Sequence, residues 1–249
     1  MPSDRIHLSQ EILASVVGEG WPPDQIDAAV EMLANGDGKF PSGVRKLPSD
    51  LIRTLQRERL VAAMLNAAAE LGYREANVQD VIERAGVSRP TFYEHFTNKE
   101  DCFLAAFDTS TVRLRKKVAA AARKGGGVWR DRTRYGLEAL LHFMAAEPDT
   151  ARTLVVEARG ASPDAALRRV ALLDHFTGCL ENQASELLTD PPSNPVTASA
   201  IVGGIESLLY SRLCKGEIEE IEDLLPSLMY FVVLPYEGHT AAGEELAVG

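Results

Sequence analysis

Leu60, Met64, Ala68 and Leu71 stand at four- and three-residue intervals, and that spacing returns in nearly every apolar segment from residue 51 onward. Residues three and four apart share one face of an α-helix, whereas a half-buried strand alternates every second residue. Strand-like alternation is nowhere sustained, so the sequence reads as all-α. With 249 residues and 45% hydrophobic composition the chain can bury a sizeable core.

The punctuation after residue 51 is closely spaced. Gly72 stops the first helix; Asn77, with Asp80 three residues on, caps a second helix carrying Val78, Val81, Ile82 and Ala85; and Gly86 permits a sharp turn. Ser88 then caps a third helix, with Pro90 in its first turn, where the missing N–H costs no helical hydrogen bond. The "TNKE" of residues 97–100 has the S/T-x-x-E form of a capping box and opens a long helix with Phe103, Phe107, Leu114 and Val118 on one side. That helix is expected to end at the glycine run 125–127.

Two short helices around a glycine turn make a helix-turn-helix, whose second helix can enter a DNA major groove. At about 100° per residue, Phe92 and Phe96 fall on one face and anchor that helix. Pro90, Thr91 and Glu94 then point outward, with Arg89 and Tyr93 along one flank and His95 along the other. Guanidinium, hydroxyl and imidazole groups all donate to phosphate oxygens, so they suit the walls of a groove. Lys99, at the start of the next helix, adds a cation. The bland reading treats Tyr93, His95 and Lys99 as ordinary surface residues.

Residues 54–107, above all "GVSRPTFYEHFTNKED", resemble the DNA-binding domain of the TetR family of transcriptional regulators. The resemblance covers about a fifth of the chain, and a weaker one extends to "LPSLMYFVVLPY". It implies an all-α homodimer in which Ser88, Arg89, Pro90 and Thr91 approach DNA, Arg89 and Thr91 reaching base edges. Tyr93, His95 and Lys99 would hold phosphates, Gln79 would face the groove, and Asn77 stands where a capping threonine is common.

Charge qualifies that expectation. The formal net charge is -10, and residues 53–101 hold seven Lys or Arg against eight acidic residues. Just upstream, Lys39, Arg45, Lys46, Arg53, Arg57 and Arg59 against Asp50 and Glu58 amount to +4. Those cations either form an arm for an adjacent minor groove or a solvated linker. The run from Arg113 to Arg134 reads as a solvated face.

Further helices are expected over 129–146, 150–159, 163–188, 196–214 and 218–234, with the acidic start of the last favourable at a helix N-terminus. By periodicity the last two could be core helices of a monomer. The resemblance makes them the dimer interface, with Ile201, Ile205, Leu208, Leu209, Leu228 and Phe231 facing a second copy, so that two recognition helices read a near-palindrome. The helices between 128 and 188 are expected to enclose an apolar effector site, with His142, Phe143, Glu157, His175, Phe176 and Cys179 as candidates, although such stripes are mostly core.

The domain organisation expected is thus an N-terminal extension over 1–50, with amphipathic candidates at 8–17 and 23–34; the helix-turn-helix unit over 51–107; an effector and dimerisation domain over 108–236; and a mobile tail over 237–249. Catalysis finds no support: no G-x-S-x-G, phosphate loop or H-E-x-x-H occurs, and His7, His95, His142, His175 and His239 are scattered. No metal or cofactor is expected. Cys102, Cys179 and Cys214 suggest neither a disulfide framework nor a zinc site. The sequence shows no signal peptide and no run of ~20 apolar residues, so a cytoplasmic protein is expected. The function expected is a transcriptional repressor that binds double-stranded DNA as a homodimer and is released by a small-molecule effector. A helical dimerisation module without DNA affinity is the alternative.

Overall fold

A computed structural model of the chain describes residues 49–192 and 194–247. The amphipathic candidates at 8–17 and 23–34, and the cations Lys39, Arg45 and Lys46, lie outside the described residues. Among those described, all regular structure is helical: α1 Ser49–Leu71, α2 Val78–Ala85, α3 Arg89–His95, α4 Lys99–Ala122, α5 Trp129–Ala146, α6 Pro148–Val155, α7 Pro163–Leu187, α8 Thr197–Lys215 and α9 Leu225–Leu246, with short 3-10 turns between some of them. The chain divides into two compact units, at Ala106 and Phe107.

In the first unit α1 buries Leu60, Met64 and Ala68 of the helical-period stripe together with Leu55, while Leu71, at the end of the stripe, is exposed. Val81, Ile82 and Ala85 of α2, Phe92 of α3, and Cys102, Phe103 and Ala106 of α4 complete the core. The joint between α2 and α3 is set by backbone chemistry. Gly86 sits at φ 61°, ψ 39°, the left-handed region that costs a side-chain-bearing residue roughly 1–2 kcal/mol, and its N–H satisfies the carbonyls of Ile82 and Glu83. Arg59, buried in α1, donates to the Gly86 carbonyl at 3.3 Å and fixes the turn from below.

Asn77 caps α2 as read: its side chain accepts from the N–H groups of Gln79 and Asp80, and the Asp80 carboxylate accepts from Asn77 N. Ser88 caps α3, and Pro90 occupies its first turn. The cap of α4 is shifted by one residue. Asn98 Oδ1 accepts from Asp101 N at 2.9 Å, while Asp101 accepts from Thr97 N and Oγ1. The Thr97–Glu100 box is therefore replaced by an Asn98–Asp101 cap, because the helix starts at Lys99 and Asn98 occupies the N-cap position.

The second unit contains most of α4 and all of α5–α9. Its boundaries differ from the sequence reading at two helices with proline in the first turn, whereas α7 begins at Pro163 as read. α6 begins at Pro148 rather than Thr150 and gives way to a 3-10 turn at Glu157–Arg159. α9 begins at Leu225, with Pro226 in its first turn, so the acidic run from Glu217 to Asp223 precedes the helix and no carboxylate lies in that first turn. The segment expected as a tail continues instead as helix to Leu246, beyond a kink at Gly238 where φ is 83° and ψ 179°. Ala242 and Glu245 within it are buried, the latter between Arg130 and Arg134 of α5.

Candidate nucleic-acid interface and cavity

α3 has seven residues, too few to persist alone. Two rings hold it: Phe92 and Phe96 are both buried, with centroids 5.8 Å apart. Arg57 of α1 lies over the Phe96 ring at 5.4 Å. With one face fixed, the other is presented. Ser88, Arg89, Pro90, Tyr93 and Glu94 are exposed and Thr91 is half-buried. Tyr93 packs edge-on against Phe92 at 5.3 Å, which orients its ring and leaves half its surface open. The Arg89 guanidinium lies 6.0 Å from the Tyr93 ring. Among the described residues Arg89 makes no ion pair, so its donors face solvent.

The other candidates are more committed. The Thr91 and Ser88 hydroxyls are hydrogen-bonded to each other at 2.8 Å, and Gln79, exposed on α2, donates to Glu83 at 2.7 Å. Asn77 has its oxygen engaged in the cap described above. His95 turns back toward α1, with Nε2 3.4 Å from Gln56 Oε1. Burial, then Arg53, pushes its imidazole below the ordinary range, with Glu94 opposing the shift and Arg57 adding to it.

Lys99 departs furthest from expectation. Its ammonium donates to the carbonyls of Tyr73 at 2.9 Å, Ala76 at 2.8 Å and Arg74 at 3.4 Å, and lies 4.3 Å from the Tyr73 ring. Three donors meet three acceptors, so Lys99 braces the α1–α2 turn and has none left for phosphate. Lys99→Ala should therefore lower the stability of the first unit by about 1.5–3 kcal/mol, as for hydrogen bonds to a charged group. Under conditions where the variant stays folded, the salt dependence of DNA binding should not change. Urea unfolding and salt titrations check the two halves. Sequence spacing could not have found this brace, or Arg59, because their acceptors are backbone carbonyls 23 to 27 residues away.

The second unit contains a partly open apolar cavity of about 150 Å³. Of the six effector candidates, only Phe176 and Cys179 line it. His142 is exposed and 2.8 Å from Glu222; Phe143 is buried beneath Arg113 and Lys117 instead; Glu157 pairs with Arg152 at 3.5 Å; and His175 Nε2 lies 3.6 Å from Cys179 Sγ without lining the cavity. The α8 stripe supplies what was missed. Ile201, Ile205 and Leu209, expected at a dimer interface, line the cavity and are buried within the single chain, as Leu228 is buried in α9. Leu208 is half-buried, and Phe231 keeps 44% of its surface exposed, its ring lying over Gly204, where an added Cβ would be 3.2 Å away.

A short, aromatic-anchored second helix behind a left-handed glycine turn, with an exposed arginine and a phenol on its free face, defines a helix-turn-helix protein of the all-α class. Residues 60–106 match the family described as bacterial regulatory proteins, tetR family. The first unit thus carries a domain that matches the tetR family of bacterial regulatory proteins. Over 106 residues it is 31% identical to the HTH-type transcriptional activator FasR of Mycolicibacterium smegmatis, a stretch of 43% of this chain and 48% of that one, so the chain spans about half the length of that curated relative. In structure it resembles the fatty acid degradation regulator FadR from Bacillus halodurans, with TM-score 0.66 and 17% identity over 79% of this chain and 100% of that one. It also resembles the transcriptional regulator FadR from Bacillus subtilis in complex with stearoyl-CoA, with TM-score 0.62 and 17% identity over 73% and 98%. At those identities the structural likeness speaks for the fold.

Proposed function

We propose that the protein is a DNA-binding transcriptional regulator that reads a near-palindromic operator as a homodimer and changes its DNA affinity when an apolar small molecule enters the cavity of the second unit. The observation that carries this reading is the free face of α3, where Arg89, Pro90 and Tyr93 are held outward by the buried Phe92 and Phe96. Arg89 suits a bidentate contact to guanine, and Tyr93 a phosphate. Glu94, on the same face, would be repelled by phosphate and can accept from a cytosine amine.

The dimer reading rests on α8 and α9, where exposed Phe231 and half-buried Leu208 offer apolar surface beside the small Gly204. Support for an effector comes from the cavity and from the stearoyl-CoA bound by the Bacillus subtilis regulator. Release of DNA on effector binding makes the regulator a repressor where its operator overlaps a promoter. FasR is an activator, so a promoter fusion with and without the regulator gene reads the sign. No described helix is long and apolar enough to cross a membrane, and action on the chromosome places the protein in the cytoplasm.

Selection of bound duplexes from a random pool tests the core of the proposal: a two-fold symmetric sequence is expected. Arg89→Ala should then cost about 1–3 kcal/mol at one base position per half-site and relax discrimination there. A uniform loss over all sequences would remove Arg89 from base reading. Absence of binding to any duplex at low salt would favour the dimerisation module instead.

A further inference from the structure

We propose that the outer face of α4, with the turn that continues it, is a docking surface for the acidic segment between α8 and α9 of another copy of this chain. Charge of opposite sign is concentrated in two places. Residues 113–134 hold nine Lys or Arg against Asp131 alone, while the rest of the chain holds 17 against 35 acidic residues. The second place is 217–223, "EIEEIED", with five carboxylates in seven residues.

The fold spends part of the basic run internally. Arg113 and Lys117 both pair with Glu147, Arg130 with Glu237 and Glu244, Arg134 with Glu245, and Arg132 lies 3.6 Å from Glu186. Arg115 and Lys116 of α4, and Arg123 and Lys124 of the 3-10 turn Arg123–Gly125 that follows it, are exposed and pair with no carboxylate among the described residues. These cations extend over roughly 14 Å at the helical rise. Between the two pairs stand Ala119 and Ala120, both exposed.

The chemistry of this face selects its occupant. A bilayer takes bulky apolar side chains into its interface, and Val112 is the only large apolar group the face exposes. A duplex backbone draws on hydroxyl and amide donors as well as cations; here alanines separate the cations, and the acidic remainder of the chain repels a continuous polyanion. A narrow acidic polypeptide meets neither obstacle, since its backbone can approach the alanines while its carboxylates reach the cations at either end. Segment 217–223 has that form. Ile221 is fully buried and ties it to the second unit, leaving the carboxylates on both sides outward. Arg212 pairs with Glu217 and Glu220, and His142 with Glu222, whereas exposed Glu219 and Asp223 pair with no cation among the described residues. Because the two surfaces are unlike, the contact is heterologous, closing into a ring or extending. It is separate from the apolar α8–α9 pairing above and does not rest on DNA binding.

The experiment is sedimentation equilibrium of the full chain without DNA at about 50 mM and about 500 mM sodium chloride, where screening differs severalfold. Wild type is expected to gain mass at the lower salt and lose the gain at the higher; an apolar dimer keeps its mass in both. Lys116→Glu combined with Arg123→Glu should weaken the salt-dependent step by about 10- to 100-fold, and so should Glu219→Lys combined with Asp223→Lys. Mixing the two variants should restore it, because a reversed face then meets a reversed segment and each native face meets a native one. All four positions are exposed, and circular dichroism checks that both variants fold. Equal wild-type mass at the two salts overturns the proposal, as does association that survives either reversal or is not restored in the mixture. If reversal at Lys116 and Arg123 instead shallows the salt dependence of duplex binding and leaves the mass unchanged, the face serves nucleic acid and the proposal falls. Duplex selection is read separately, so each of these failures leaves the DNA reading standing.

Discussion

Phe92→Ala is expected to destabilise the first unit by about 3–5 kcal/mol and to abolish specific DNA binding. The ring is fully buried and touches the Phe96 and Tyr93 rings at centroid distances of 5.8 and 5.3 Å, so truncation opens a cavity under the helix that carries Arg89. A seven-residue helix has no length of its own to resist fraying. The loss is comparable to much of a small domain's stability of about 5–15 kcal/mol. Urea unfolding and hydrogen exchange across residues 78–99 measure it: protection should fall there while the helices of the second unit keep theirs. A change within about 1 kcal/mol would mean that Phe92 is not the anchor.

The second large effect is expected at Glu245. Its side chain is 3% exposed and lies between Arg130, 3.6 Å away at Nε, and Arg134. Removing one partner of a fully buried pair costs about 3–5 kcal/mol. Here both guanidiniums keep about a quarter of their surface open, and Arg130 retains Glu237 and Glu244. Glu245→Ala should accordingly cost about 2–3 kcal/mol and release the helix beyond Gly238 to proteolysis. Glu244→Ala removes a mostly exposed carboxylate from the same cluster and should cost no more than about 0.5 kcal/mol. Equal effects in urea unfolding would show that burial does not separate them.

Capping chemistry made the first unit readable. Asn77, Gly86, Ser88 and Pro90 act within a few residues of themselves, so each could be assigned a place from its neighbours, and each occupies it. The Thr97–Glu100 box failed because two overlapping caps were available and the helix starts at Lys99, directly after Asn98. For Lys99 the failure was of another kind. A cation at a helix start reads as a phosphate donor, yet its acceptors are carbonyls brought up by the α1–α2 turn.

In the second unit the same limit appears at larger scale. The stripe Ile201, Ile205 and Leu209 announces that α8 buries a face, but it faces a cavity inside one chain rather than a second copy. His142 and Phe143 share a helix with the cavity-lining Leu140 and Met144 yet point elsewhere, a rotation of about 100° per residue deciding which side chains see the space. Residues 237–249 read as a tail, whereas Arg130 and Arg134, more than a hundred residues away, supply the charges that retain Glu237 and Glu245.

Helical periodicity and local caps, written in the order of residues, thus determined the all-α class, the helix-turn-helix and the aromatic anchoring of α3. The tertiary structure alone decided which neighbour each apolar face meets and which charges are already spent. The physical reason is range: a cap or turn is satisfied within one helical turn, while burial and ion pairing depend on groups that only the fold brings together.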